Sequence, residues 1–187
     1  MSRSHGYHHG DLRRALFDAL AEAVLEVGPS AVSLRDLARR AGVSHAAPAH
    51  HFGDKRGLLT AFAAEGHRLL ADALAAAGRT GDFTEVGVAY VGFALAHRAH
   101  FEVMFRPDLL HTDDPDLLAA AGRSSRQLGD GTAAYAGAAE PDPAEMVGAW
   151  ALVHGFATLW LAGNIPAALG PADQLARRIL EGVDWRG

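Results

Sequence analysis

The chain has 187 residues, of which 49% are apolar and 21% are charged, so its composition is that of a globular protein of one or two domains rather than a disordered one. It contains no cysteine, which excludes disulfides and thiolate chemistry, and its net charge is −5. The first 56 residues carry eight Lys and Arg against six Asp and Glu, whereas the remainder carries nine against sixteen. The positive charge is therefore concentrated in the N-terminal part, as phosphate binding requires.

Neither a membrane span nor a signal peptide is expected. No apolar run approaches the roughly 18 residues needed to cross a bilayer, and the N-terminus lacks an apolar segment of the signal-peptide kind. We therefore expect a cytoplasmic protein.

Residues 1–10 form a polar arm, which is either a frayed terminus or a flexible segment that touches DNA, with Arg3 as its main contact. The spacing of His5, His8 and His9 would admit a metal ion, but they have no Cys or acidic partners, so we predict no metal there.

Residues 11–27 have the apolar spacing of a first helix, which Gly28 and Pro29 end. We expect it to pack behind the two helices that follow. Its apolar face comprises Leu12, Ala15, Leu16, Ala19, Leu20, Ala23, Val24 and Val27.

A short helix is predicted after Ser33, whose hydroxyl is a good N-cap. Asp36 stands at the capping-box position, and Val32 and Leu37 have the spacing of a hydrophobic staple. Gly42 is expected to end this helix because glycine adopts a positive φ without steric cost.

Ser44 is predicted to cap a second helix, which makes the segment a helix-turn-helix whose second helix enters the DNA major groove. Pro48 would then be the fourth helical residue, so we expect this helix to be short and 3₁₀-like at its start. Asp54 is expected to cap a third helix, with Lys55 beside a phosphate. The predicted DNA-binding residues are Ser33, Arg35, Ser44, His45, Ala46, Ala47, Ala49, His50, His51 and Lys55.

Residues 9–57 resemble the DNA-binding domain of the TetR family of bacterial transcriptional repressors. The resemblance rests on residues 33–38, 41–44, 51–55 and 57–59, all at the family's spacing. It implies a three-helix DNA-binding domain. One departure is Ala49, where the family usually has a tyrosine that contacts the DNA backbone. The alternative is a structural helical hairpin without DNA contact.

The C-terminal half shows only helical patterns, separated by proline and glycine. After a helix from Asp54 to about Gly78, these cover about 83–106, 115–137, 142–163 and 171–182, and the first is expected to break near residues 97–99. Trp150, His154 and Gly155 resemble the element that names the family's WHG-type subgroup, in which residues 7–12 are also usual. We therefore predict an all-α protein, with a DNA-binding domain at 1–56 and a ligand-binding and dimerisation domain at 57–187.

Aromatic and flexible apolar side chains concentrate in this half and predict an apolar pocket with a few polar groups. The alternative for each is ordinary core packing. The set lacks Lys and Arg, so we expect a neutral or weakly polar ligand. The predicted ligand-binding residues are Tyr90, Phe93, His97, Phe101, Met104, Phe105, Trp150 and His154.

The family resemblance also implies that the last two helices pair across a two-fold axis. The alternative is that their apolar faces only close the subunit core. The predicted dimerisation residues are Val147, Ala151, Phe156, Leu175 and Ile179.

No catalytic spacing is present, and we predict that the chain is not an enzyme and needs no cofactor. The alternatives are a metal site formed by His97, His100 and His154 and a structural DNA-coating protein. The preferred interpretation is a homodimeric repressor that binds an inverted-repeat operator and leaves it when a small molecule binds.

Overall fold

The computed structural model describes residues 9–136 and 142–183, and within these ranges it is helical and contains no strand. The all-α prediction is confirmed. The α-helices are α1 His9–Val27, α2 Leu34–Arg40, α3 Ala47–Phe52, α4 Lys55–Gly78, α5 Phe83–Ala96, α6 Arg98–Met104, α7 Pro115–Ala136, α8 Pro143–Leu161 and α9 Ala172–Glu181. Short 3₁₀ turns lie at Pro107–Leu109 and Ala167–Leu169.

The predicted break after α5 is confirmed. His97 caps α5 with φ −119° and ψ 44°, outside the helical region, and α6 begins at Arg98. The residues before and after His97 therefore do not share one continuous helical face.

The chain divides into two compact units. The first contains the described residues up to Ala63 together with Ala99–Asp114, and the second contains Ala64–Arg98 and the described residues from Pro115 onward. The helix α4 contributes to both.

The first unit is built around an aromatic cluster between α1, α3 and α4. The Phe17 ring stacks on Phe52 at 5.8 Å and meets Phe62 edge-on at 5.3 Å. Leu16, Leu20 and the start of α4 complete the core with buried side chains. Val27, predicted on the apolar face of α1, is 55% exposed instead, because it is the last residue of the helix.

The second unit is a helical bundle in which α5 packs against α7, α8 and α9. Tyr90, Val91, Val153 and Leu180 are buried at the centre. A Cβ on Gly87 would meet the Leu180 side chain at 2.6 Å, so this glycine lets α5 and α9 approach closely.

One of the described helices, α8, is long and apolar enough to cross a membrane by length and composition alone, a test that core helices of water-soluble proteins also pass. Ala, Val, Leu, Met and Phe make this helix apolar, although Glu145, His154 and Thr158 interrupt the run. The buried residues of α8 are Ala149, Val153, Phe156 and Ala157. They are a minority, because only 22% of its apolar stretch is buried. The helix therefore has an apolar face that the subunit leaves largely uncovered.

Candidate functional site

The helix α2 begins as the sequence predicts. Ser33 has extended backbone angles, and its hydroxyl accepts a hydrogen bond from the amide of Asp36 at 3.3 Å. The Asp36 carboxylate accepts from Arg39 at 2.5 Å and from Arg40 at 2.6 Å. These two hydrogen bonds, that of Arg39 first, lower the pKa of Asp36.

Arg40 joins α2 to α1. Its guanidinium donates to both carboxylate oxygens of Glu26, at 2.9 and 2.6 Å, and this pairing lowers the pKa of Glu26. Sequence analysis did not find the pair, because 14 positions separate its members. Arg40 therefore orients α2 on α1, and its charge is already paired within the protein.

The turn between α2 and α3 is a Schellman motif. Gly42 has φ 66°, its amide donates to the carbonyl of Arg39, and the Val43 amide donates to the carbonyl of Ala38 at 3.0 Å. The glycine is needed because a residue with a Cβ is strained at this φ. The predicted helix-turn-helix connection is confirmed in its local geometry.

The start of α3 differs from the prediction. The helix begins at Ala47 after the cap Ala46, so Ser44 is not its N-cap. Ser44 instead accepts at its carbonyl from the Ala47 amide at 3.0 Å, which is a 3₁₀-type turn. Pro48 is consequently the second helical residue, where its missing N–H costs no helical hydrogen bond, and its ring is fully buried.

The candidate DNA-binding residues lie on the surface of α2, the turn and α3. Ala47 and Lys55 are half-buried. The exposed residues of the set are Ser33, Arg35, Ser44, His45, Ala46, Ala49, His50 and His51.

The start of α4 is capped as predicted by Asp54, which accepts from the Gly57 amide at 2.7 Å. That hydrogen bond lowers the pKa of Asp54. A Cβ on Gly57 would collide with the carbonyl oxygen of Phe52, so glycine is required where α4 approaches α3. The carboxylate occupies the helix terminus at which sequence analysis expected a phosphate.

Lys55 and its neighbours make contacts within the first unit that the sequence did not indicate. Lys55 Nζ donates to the carbonyl of Ser30 at 2.6 Å, and Arg106 donates to the Ser30 hydroxyl at 3.2 Å. Arg56 donates to the carbonyl of Leu110 at 2.5 Å. The segment after α6 is thereby joined to the start of α4 and to the loop after α1.

The second unit contains a hydrogen-bonded triad formed by three candidate ligand-binding residues. Trp150 Nε1 donates to the Tyr90 hydroxyl at 3.0 Å. The same hydroxyl oxygen lies 3.0 Å from Nδ1 of His154. Burial raises the pKa of Tyr90 and lowers that of His154, which favours the neutral form of each. The Tyr90 hydroxyl thus accepts a hydrogen bond from the indole and shares a second one with Nδ1 of His154, whose direction is set by the histidine tautomer.

The other candidate ligand-binding residues are distributed over both units. Phe93 is buried and stacks on His97 at 5.2 Å in the second unit. Phe101 and Phe105 meet edge-on at 5.4 Å in the first unit, where Met104 is also buried.

A cleft of about 250 Å³ lies in the second unit, where α4, α5 and α7 approach one another. Leu74, Phe83 and Val86 supply its apolar wall, while Arg79 and Asp130 are among its polar residues. None of the candidate ligand-binding residues lines it.

A buried histidine in the second unit was missed by sequence analysis. His67 on α4 is 8% exposed, and its Nδ1 lies 3.0 Å from the Ser124 hydroxyl of α7. Because that hydroxyl donates to the Ala121 carbonyl, it accepts from His67. Burial lowers the pKa of His67 to about 4. The sequence carries no local signal for the pair, since 57 positions separate it.

The candidate dimerisation residues differ in burial. Val147 and Ala151 on α8 are exposed, and Leu175 and Ile179 on α9 are half-buried. Phe156 is only 7% exposed and packs inside the subunit.

Within residues 9–136 and 142–183 no three His, Asp or Glu side chains gather as a metal site would require, so His97, His100 and His154 do not form one. The arm with Arg3, His5, His8 and His9 lies almost wholly outside the described residues.

Comparison with known proteins gives matches at both ends of the chain. The family model for bacterial regulatory proteins of the tetR family matches residues 16–62, and the tetracyclin repressor-like C-terminal domain matches residues 83–183. The HTH-type transcriptional regulator BetI of Escherichia coli (strain K12 / DH10B) is 51% identical over 49 residues, which are 26% of this chain and 25% of BetI. The match thus spans about a quarter of that relative.

Solved structures share the whole fold. A protein of unknown function from Rhodococcus sp. RHA1 is 34% identical over 98% of both chains, with a TM-score of 0.77. The TetR-like transcriptional regulator LfrR from Mycobacterium smegmatis, solved in complex with proflavine, is 20% identical over 91% of this chain and 93% of its own, with a TM-score of 0.68.

Proposed function

The chain belongs to the TetR family of bacterial regulatory proteins, and from this membership we propose that it is a homodimeric, cytoplasmic transcriptional repressor. It binds an inverted-repeat operator and leaves it when a small apolar molecule binds the second unit. We propose no catalytic role for it.

The observation that carries this proposal is the exposed surface of α3. A short helix follows a Schellman turn, and its outward residues include Ala46, Ala49 and His50. Small side chains allow close approach to base edges in the major groove. Arg35 on α2 is exposed beside it and is available to a phosphate.

The dimer is proposed to form through α8. Val147 is 53% exposed and Leu159 is 49% exposed, on a helix whose composition is strongly apolar. Exposed apolar surface of this kind marks interaction sites in water-soluble proteins. Two copies related by a two-fold axis would present two α3 helices to two half-sites.

The effector is proposed to bind near Trp150 and His154, which are part-exposed beside buried Tyr90. The related fold of LfrR was solved with proflavine, which is consistent with an organic ligand. Such a ligand releases DNA only if it binds the DNA-free conformation more tightly than the bound one.

The test is selection of duplexes from a random pool by the full-length protein, followed by gel shifts. An inverted repeat should be enriched, and its affinity should fall steeply with salt as counterions are released. Arg35→Ala should weaken binding, whereas Arg14→Ala, on the exposed side of α1 and paired with Asp18, should not. Equal binding to the selected and the scrambled duplex would refute the function.

A further inference from the structure

We propose that this protein reads its operator half-site mainly through thymine 5-methyl groups, which the methyl side chains of Ala46 and Ala49 contact. The inference rests on the proposed DNA-binding function and specifies the base chemistry that the site recognises.

The residue types in the turn and in α3 favour recognition of thymine. Residues 41–54 contain no Lys or Arg, so neither the turn nor α3 can form the bidentate cation contact to guanine that is the commonest specific contact in the major groove. They contain no Asn or Gln either, which removes the usual bidentate contact to adenine. Among the arginines of α2, Arg39 and Arg40 pair with Asp36 and Glu26, and exposed Arg35 is the one assigned to a phosphate.

The orientation of α3 decides which side chains face outward. Pro48 is fully buried and Phe52, four residues later, packs on Phe17, so this side of the helix faces the protein core. Ala46, Ala49 and His50 are exposed and spaced three and four residues apart, which places them together on the opposite side. Ala46 belongs to this face because its φ of −82° and ψ of −19° are already helical.

The outward face therefore presents two methyl groups and one imidazole. In the major groove only thymine offers a methyl group, at C5, and alanine is a side chain that contacts it. Exclusion of water between methyl groups supplies the binding energy. His50, with Ser44 and His45 on the exposed turn, supplies polar contacts to neighbouring base edges.

Deoxyuridine in place of thymidine tests this directly, because it removes the methyl group and leaves Watson–Crick pairing unchanged. The probe is the inverted repeat selected by the full-length protein, with the thymidines of each half-site replaced one at a time. At one or two positions per half-site, deoxyuridine should weaken binding about four-fold, the value for one buried methyl group.

Variants assign the effect to residues. With Ala49→Gly or Ala46→Gly, the same deoxyuridine replacement should cost less than two-fold, because the partner methyl group is already absent. Ala31→Gly is the matched control, since Ala31 is an exposed alanine of the same unit that is not among the candidate DNA-binding residues, and it should leave the four-fold effect intact. Ala46→Gly is tolerated by the fold because glycine is acceptable at an N-cap.

The outcomes separate the two proposals. If no inverted repeat is selected, the proposed function fails. If an inverted repeat binds specifically but every deoxyuridine duplex stays within two-fold of the parent, or no thymine occurs in the half-site, thymine readout is wrong and the function stands. If the sensitivity survives both Ala46→Gly and Ala49→Gly, its assignment to these residues is wrong.

Discussion

The guanidinium of Arg40 and the carboxylate of Glu26 form a two-point ion pair between α2 and α1, with N–O distances of 2.9 and 2.6 Å. Arg40 retains only 21% of its side-chain exposure, whereas Glu26 retains 55%. An arginine in such a pair orients a helix and is poorly available to a phosphate, although its position in the sequence would suit either role.

We therefore expect Arg40 and Arg35 to behave differently on replacement by alanine. Arg40→Ala should lower the melting temperature and weaken DNA binding indirectly. Arg35→Ala should leave the melting temperature unchanged and reduce the slope of log affinity against log salt by about 0.9, the value for one lost phosphate contact. Calorimetry and salt-dependent anisotropy measure the two effects, and a loss of salt slope for Arg40→Ala without a loss of stability would contradict this assignment.

Acid should destabilise the second unit through His67. Its pKa in the folded state is lowered to about 4 from the ordinary 6.5, so the unfolded chain binds the proton more readily. The stabilising effect of the neutral ring is complete above pH 6.5 and is lost as the pH falls towards 4. Between pH 7.5 and pH 5 this loss amounts to at most about 2 kcal/mol of unfolding free energy.

Urea unfolding at both pH values measures this loss. His67→Asn is the matched control because its amide keeps a donor for the Ser124 hydroxyl but does not titrate. The pH-dependent loss should be smaller in the variant by about the same amount. An identical loss in both proteins would show that other groups cause the acid sensitivity.

A charged substitution on the exposed face of α8 tests whether two copies of the protein associate through this helix. The native chain should sediment at twice its 19.7 kDa mass. Val147→Glu should shift it towards the monomer, since a charge would be buried without a partner. Leu118→Glu on α7 is the matched control, because Leu118 is 56% exposed against 53% for Val147. Equal effects of the two substitutions, or a monomeric native chain at micromolar concentration, would rule out α8 as the interface.

Ligand binding near the Trp150–Tyr90–His154 triad should appear in tryptophan emission. A neutral apolar compound that releases the operator should quench the emission of a variant that retains only Trp150 and affect one that retains only Trp160 much less. Tyr90→Phe, which removes the acceptor of the indole N–H, should alter the emission of Trp150 before any ligand is added. Release of the operator by anionic metabolites or metal ions alone would overturn the assignment.

The local features of this fold could be predicted from sequence, and the distant pairs could not. The Ser33 cap and the Gly42 turn depend on residues within a few positions of one another. The prediction that Ser44 caps α3 was wrong. Proline is favoured in the first turn of a helix, and Pro48 is the second residue of α3, so the helix begins at Ala47 and not directly after Ser44. The pair of Lys55 with Ser30 depends on tertiary packing, which no local pattern encodes.

The spacing of the two half-sites tests the central claim most directly, because a two-fold dimer can read both only when they lie on the same side of the duplex. The measurement is the affinity of the protein, determined by fluorescence anisotropy, for two duplexes. One is the selected inverted repeat, and the other is the same duplex with five additional base pairs between its half-sites. Five base pairs rotate one half-site by about half a helical turn. Affinity should fall to that of a scrambled duplex, and unchanged affinity would contradict recognition by a symmetric pair of α3 helices.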